Sequence, residues 1–119
     1  MGMSDNDYMA WFFNKWKFFA TQYNCHVFIV AHPRKMERDK DGDYIPPGLY
    51  DICGSSNIAN IIDNGITIWR KTAEENGEVY MYTLKIRNDW IGKIGATTFK
   101  FDLSTKRYLD LSEQINRGN

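Results

Sequence analysis

The chain has 119 residues, room for one domain or part of one, and a domain of that size buries roughly two thirds of its unfolded surface. Fifteen Lys plus Arg balance fifteen Asp plus Glu, so bulk charge draws it to neither nucleic acid nor membrane, and any such contact must come from local patches. Cys25 and Cys53 form no C-x-x-C pair, which disfavours a zinc site or disulfide framework, and no apolar run approaches the roughly 18 residues of a membrane span.

Met1-Gly2-Met3 reads as an added start ahead of an excised segment. Ser4 followed by Asp5 and Asp7 is an N-cap with carboxylates in the first turn. The helix it opens is expected to run to about Tyr23. Met9, Phe12, Phe13, Trp16, Phe19, Ala20 and Tyr23 share one face at steps of three and four. At about 1.5 to 3 kcal/mol per large buried side chain, that stripe is expected to be a principal source of stability. Tyr8, Trp11 and Phe18 project from the opposite side, either as snorkelling aromatics beside Lys15 and Lys17 or as a surface that something else covers.

Residues 26–32, His-Val-Phe-Ile-Val-Ala-His, form an apolar run too short for a helix and without polar alternation. That pattern predicts a strand covered on both faces, as in parallel sheets. Residues 33–50, with Asp41-Gly42 and Pro46-Pro47, predict a long loop. Gly54-Ser55-Ser56 opens a short helix with Ile58, Ala59, Ile61 and Ile62 inward, stopped by Asn64-Gly65. Strands are expected over 66–70, 78–87 and 96–103, the first two joined by a turn at Glu75-Asn76-Gly77. A turn at Ser104-Thr105 leads to an edge segment over 107–111, and a polar tail follows from Ser112. Helix, strand, short helix, strand and then antiparallel hairpins give an α/β class.

Ligands of open α/β sheets gather outside the carboxyl ends of the strands. At that end of the first strand stands His32, whose imidazole either hydrogen-bonds structurally or contacts a phosphate oxygen or polarised water ahead of the loop. Lys85 and Arg87, two apart in a strand, share a face. Their like charges sit side by side either as a solvated strand end or around a bridging anion such as phosphate. Arg34, Lys35, Arg38 and Lys40 offer phosphate contacts from the loop, offset by Glu37, Asp39, Asp41 and Asp43. No G-x-x-x-x-G-K-[ST] loop and no apolar strand ending in a magnesium-holding acid occur, so the chain alone cannot assemble a complete NTP site.

Four blocks occur in a telling order: Val27-Phe28-Ile29-Val30-Ala31-His32-Pro33-Arg34-Lys35; residues 51–63 leading into the strand that ends at Arg70; Leu84-Lys85-Ile86-Arg87-Asn88 with Gly92 and Gly95; and Phe99-Lys100-Phe101-Asp102. Together they resemble the C-terminal part of the RecA-like motor domain of DnaB-type hexameric replicative DNA helicases, above all the phage primase-helicase and Twinkle branch. The resemblance implies the C-terminal half of a RecA-like P-loop NTPase sheet over residues 4–111, with the phosphate loop upstream. His32 would be the sensor that couples the γ-phosphate to the DNA loop. Lys85 and Arg87 would reach the neighbouring subunit's nucleotide, Arg87 as the finger. Residues 33–50 would face single-stranded DNA through Arg34, Lys35, Arg38 and Lys40. The full-length protein would use ATP or another NTP with Mg2+ in a homo-oligomeric, hexameric ring. Its expected setting is the cytoplasm of a bacterium or phage-infected cell, away from membranes, and the segment alone is expected to bind no cofactor and hydrolyse no ATP. Two alternatives remain: a fragment of a RecA-type recombinase or related ring ATPase, and a non-enzymatic α/β adaptor that binds a partner protein through Trp11 and Phe18.

Overall fold

The computed structural model describes residues 4–71 and 78–111. The added-start reading of 1–3, the turn at Glu75-Asn76-Gly77 and the tail from Ser112 lie outside the described residues. The chain divides into two compact units, Met1–Lys35 with Pro47–Asp63, and Met36–Pro46 with Asn64–Asn119.

The first unit is helical. Helix α1 (Asp5–Gln22) starts where expected, with Ser4 Oγ accepting from the Asp7 amide at 3.2 Å. It ends in a motif the sequence reading did not anticipate. Asn24 turns left-handed at φ 50°, and the Cys25 amide reaches back to the Ala20 carbonyl at 3.0 Å, the Schellman closure in which Asn substitutes for Gly. Helices α2 (Leu49–Cys53) and α3 (Ser56–Ile61) are separated by Gly54 at φ 79°. That φ favours glycine because a Cβ would be strained there. The Ser55 hydroxyl caps α3 by accepting from the Ile58 amide at 3.3 Å, as its sequence predicts.

Phe13, Cys53 and Ile58 form the core of this unit, with Met9, Ala10, Phe12, Ile61 and Ile62 packed around them. Cys53 is therefore a packing residue. Lys17 donates from Nζ to the Ile61 carbonyl at 3.0 Å and lies 3.4 Å from the Asp63 carboxylate, satisfying a carbonyl at the end of α3. Only the N-terminal half of the predicted apolar stripe is packed. Trp16, Phe19 and Tyr23 stay exposed at 38, 41 and 65%, with rings in series at 5.6 and 4.7 Å. The expectation that the whole stripe supplies stability is therefore corrected: the transfer term requires removal from water, and these rings keep much of their surface in it. Tyr8, Trp11 and Phe18 are exposed, as their opposite-side placement predicts.

The strand expected over 26–32 is the largest departure. No residue of that segment is in a strand, and Phe28 and Val30 are 82 and 95% exposed. A strand exists only through ladder partners, and among the described residues none pairs with it.

The second unit is an antiparallel sheet in the order β1-β2-β3-β4: β1 (Asn64–Arg70), β2 (Glu78–Ile86), β3 (Gly95–Asp102) and β4 (Arg107–Asp110). Asn64-Gly65, expected to stop α3, instead open β1, while α3 has already ended at Ile61. Between the pairs Gly65–Lys85 and Ile66–Thr83 the register shifts, passing over Leu84, as in a bulge. One sheet face carries Ile68, Val79, Met81, Phe99 and Tyr108 around a recess of about 200 Å³. Trp69, Tyr80 and Tyr82 form a row of rings at 5.4 and 6.1 Å, on the alternate strand positions. At the β3–β4 turn Asp102 accepts from the Ser104 hydroxyl at 2.8 Å and amide at 3.0 Å, and from the Thr105 hydroxyl at 2.8 Å. The Ser104 hydroxyl, then that of Thr105, hold its carboxyl below the usual carboxylate range. The α/β class is as the sequence implies, with every described strand pair antiparallel.

Candidate functional site

His32 lies in the first unit, exposed, in irregular backbone between α1 and α2. Two residues later the chain is fixed. The Arg34 amide donates to the Asp51 carbonyl at 2.7 Å, and Arg34 Nε donates to Asp51 Oδ1 at 2.6 Å. The other carboxylate oxygen, Oδ2, accepts from the Gly48 amide at 2.8 Å, at the start of α2. Gly48, with the Arg34 guanidinium acting alongside it, holds the Asp51 carboxyl below the usual carboxylate range. A third Arg34 donor, a terminal guanidinium nitrogen, reaches the Lys35 carbonyl at 3.2 Å.

The expected long loop contains structure of its own. In the second unit Arg38 and Tyr44 form an antiparallel bridge, the Ile45 amide donates to the Glu37 carbonyl, and the Asp39 amide to the Asp43 carbonyl. The Asp39 carboxylate accepts from the Asp41 and Asp43 amides at 2.9 and 3.0 Å, a side chain substituting for backbone turn partners. Arg38 lies 4.5 Å over the Tyr44 ring and donates to the Gly42 carbonyl. The Tyr44 carbonyl accepts from the Trp69 indole at 2.8 Å. All four basic residues are exposed, and Arg34 and Arg38 spend donors within the chain. Arg34 and Lys35 belong to the first unit, and Arg38 and Lys40 to the second.

Lys85 is half-buried and stands opposite Gly65, one residue before β2 ends. Arg87 follows the strand in an exposed bend that enters the loop to β3. In that loop the Ile91 amide closes a turn on the Asn88 carbonyl at 3.0 Å. Gly92 approaches so closely that a Cβ there would sit 2.9 Å from Ile86 Cδ1, so a side chain at this position would require the tip of Ile86 to shift. The expected strand thus stops one residue short of Arg87, so Lys85 lies within it and Arg87 just beyond it, and both are engaged in interactions of their own. Among the described residues no group of three His, Cys, Asp or Glu side chains is gathered for a metal ion.

Sequence reasoning missed Asp51, Tyr44 and Trp69. For Asp51 a signal was present: an acid three residues into a helix can accept from the amide of the residue that opens it, here Gly48, which is one half of a capping box. Asp41-Gly42 is likewise a hairpin-turn dipeptide, but its flanks are too polar to alternate.

No protein-family profile matches the chain, and no solved structure matches it. The Twinkle homolog protein, chloroplastic/mitochondrial, of Arabidopsis thaliana is 34% identical over 110 residues, which is 90% of this chain and 15% of that protein. The chain thus spans about 15% of the length of this curated relative. That relative is organellar by name, so the comparison lends nothing to a bacterial or phage setting. Among the described residues no helix is long and apolar enough to cross a membrane. Along nine tenths of its length the chain is similar to a Twinkle protein, the branch that its four sequence blocks resemble.

Proposed function

We propose that this chain is the C-terminal part of the RecA-like motor domain of a Twinkle-like replicative DNA helicase, which couples NTP hydrolysis to movement along single-stranded DNA. The observation that carries the reading is the 34% identity across 90% of the chain. Two features of the structure support it. The apolar segment 26–32 has the composition of a doubly covered strand yet leaves Val30 95% exposed, and α1 leaves Trp11, Trp16, Phe18 and Phe19 in water. Both are what a segment shows when the rest of its domain lies outside it.

In this reading the ring is hexameric, and ATP or another NTP sits with Mg2+ on the phosphate loop of the same parent subunit, outside this chain. His32 senses the γ-phosphate and passes its state to the loop that begins at the next residue. Arg87, exposed at the end of β2, reaches the neighbouring subunit's nucleotide with Lys85 beside it, and its planar fork matches phosphate oxygens. Residues 33–50 meet DNA, with Lys35 and Lys40 the cations best presented to phosphates.

The test is NTP hydrolysis and strand displacement by the full-length protein. DNA-stimulated hydrolysis is expected, and is expected to fall by about 10³-fold or more in Arg87→Ala. His32→Ala is expected to keep basal hydrolysis but lose its stimulation by DNA. A full-length protein that neither hydrolyses NTP nor displaces a strand would refute the reading.

A further inference from the structure

The chain leaves the first unit after Lys35 and returns to it at Pro47, so the excursion that carries Arg38, Lys40 and Tyr44 has two stems. Arg34 stands at one and Asp51 just inside the other. They are joined twice, backbone to backbone at 2.7 Å and side chain to side chain at 2.6 Å, and the same carboxylate caps the Gly48 amide at 2.8 Å. One aspartate therefore ties the entry stem, the exit stem and the first turn of α2. The Arg34 side chain is 61% exposed and that of Asp51 only 17%, so the carboxylate is the fixed, shielded member on which the guanidinium is held.

We infer that Arg34 and Asp51 form a clasp that positions residues 35–48 for single-stranded DNA, and that Arg34 acts through this clasp and not as a phosphate ligand. The inference rests on the proposed contact between this loop and DNA. A phosphate approaching Arg34 would compete with a carboxylate already at hydrogen-bond distance and would meet its negative charge. Opening the clasp would loosen the two stems on either side of the Arg38–Tyr44 bridge, and ordering them again has an entropic cost that DNA binding would then carry. Asp51 is accordingly a positioning residue although it touches no DNA.

The sign of one variant's effect separates the two roles of Arg34. Asp51→Asn keeps an oxygen for the Gly48 amide but removes the charge that holds Arg34. The clasp predicts that Asp51→Asn and Arg34→Gln each weaken oligo(dT) binding by the full-length protein by roughly three- to tenfold. The double variant should be no weaker than either single one. The salt slope of binding should be unchanged by Arg34→Gln, whereas loss of a phosphate contact would make it shallower by about 0.7. Amide hydrogen exchange of residues 35–48 without DNA is expected to rise in both single variants. Tighter binding by Asp51→Asn, or a shallower slope for Arg34→Gln, would overturn the clasp and make Arg34 a phosphate ligand. Lys35→Ala with Lys40→Ala is the control on the underlying reading. If that pair leaves oligo(dT) affinity and slope unchanged, the loop does not meet DNA, and both the reading and the clasp's purpose fall. If the pair weakens binding while Asp51→Asn does not, the clasp alone fails.

Discussion

At the scale of single residues, the chemistry was readable wherever a side chain acts on near neighbours. Ser4 and Ser55 cap helices because a hydroxyl one turn ahead of free amides has little else to bind. Asp102 organises the β3–β4 turn through Ser104 and Thr105. Its pKa is lower in the folded state than in the unfolded chain, so it binds fewer protons when folded. Its contribution is present above the usual carboxylate range and is lost as pH falls through the lowered value. An NMR titration of the Asp102 carboxyl is expected to show a midpoint below that of an unfolded peptide, and Asp102→Asn should remove the corresponding acid loss of β4 amide protection. Thr67 gives the opposite kind of prediction. Among the described residues its buried hydroxyl has no hydrogen-bond partner, so Thr67→Val, which keeps the branched shape in β1, should raise stability by about 1 kcal/mol in urea unfolding. Arg34 was legible as a cation but not as half of a clasp, because its partner lies 17 residues away and no local pattern joins the two.

At the scale of elements, periodicity located what packs locally and misjudged what depends on distant partners. The antiparallel strands came out within a residue or two of their expected bounds because each pairs with its sequence neighbour. α1 was placed correctly, yet half of its stripe is exposed, since apolar spacing states which face seeks cover and not whether cover is present. Segment 26–32 is the sharpest case: its composition describes an interior strand, and a strand's existence is decided by other strands. This yields a paired prediction for Val30→Asp. In the 119-residue chain the change should alter unfolding free energy by less than about 0.5 kcal/mol, as for other exposed sites. In the full-length protein the buried-strand reading places Val30 under cover, and there the change should cost about 3 kcal/mol or more as an unpaired buried charge. Equal small effects in both would remove the buried-strand interpretation. The Gly54 turn offers a local check: at φ 79°, Gly54→Ala should destabilise the helical unit by about 1 kcal/mol.

At the scale of the whole molecule, the central claim is that nucleotide sites are completed between subunits and that Arg87 is what this segment contributes to its neighbour. No sequence block carries that geometry, because in the proposed reading the site is split across chains. The direct measurement is NTP hydrolysis by mixed rings, with full-length Arg87→Ala subunits combined with subunits that lack a working phosphate loop. Each population alone is expected to be nearly inactive. In mixed rings, an intact phosphate loop on an Arg87→Ala subunit is completed by the intact Arg87 of its neighbour, so activity should return and peak at intermediate mixing ratios. Mixed rings that stay as inactive as either parent, or an Arg87→Ala protein that hydrolyses NTP at the unmutated rate by itself, would contradict the account.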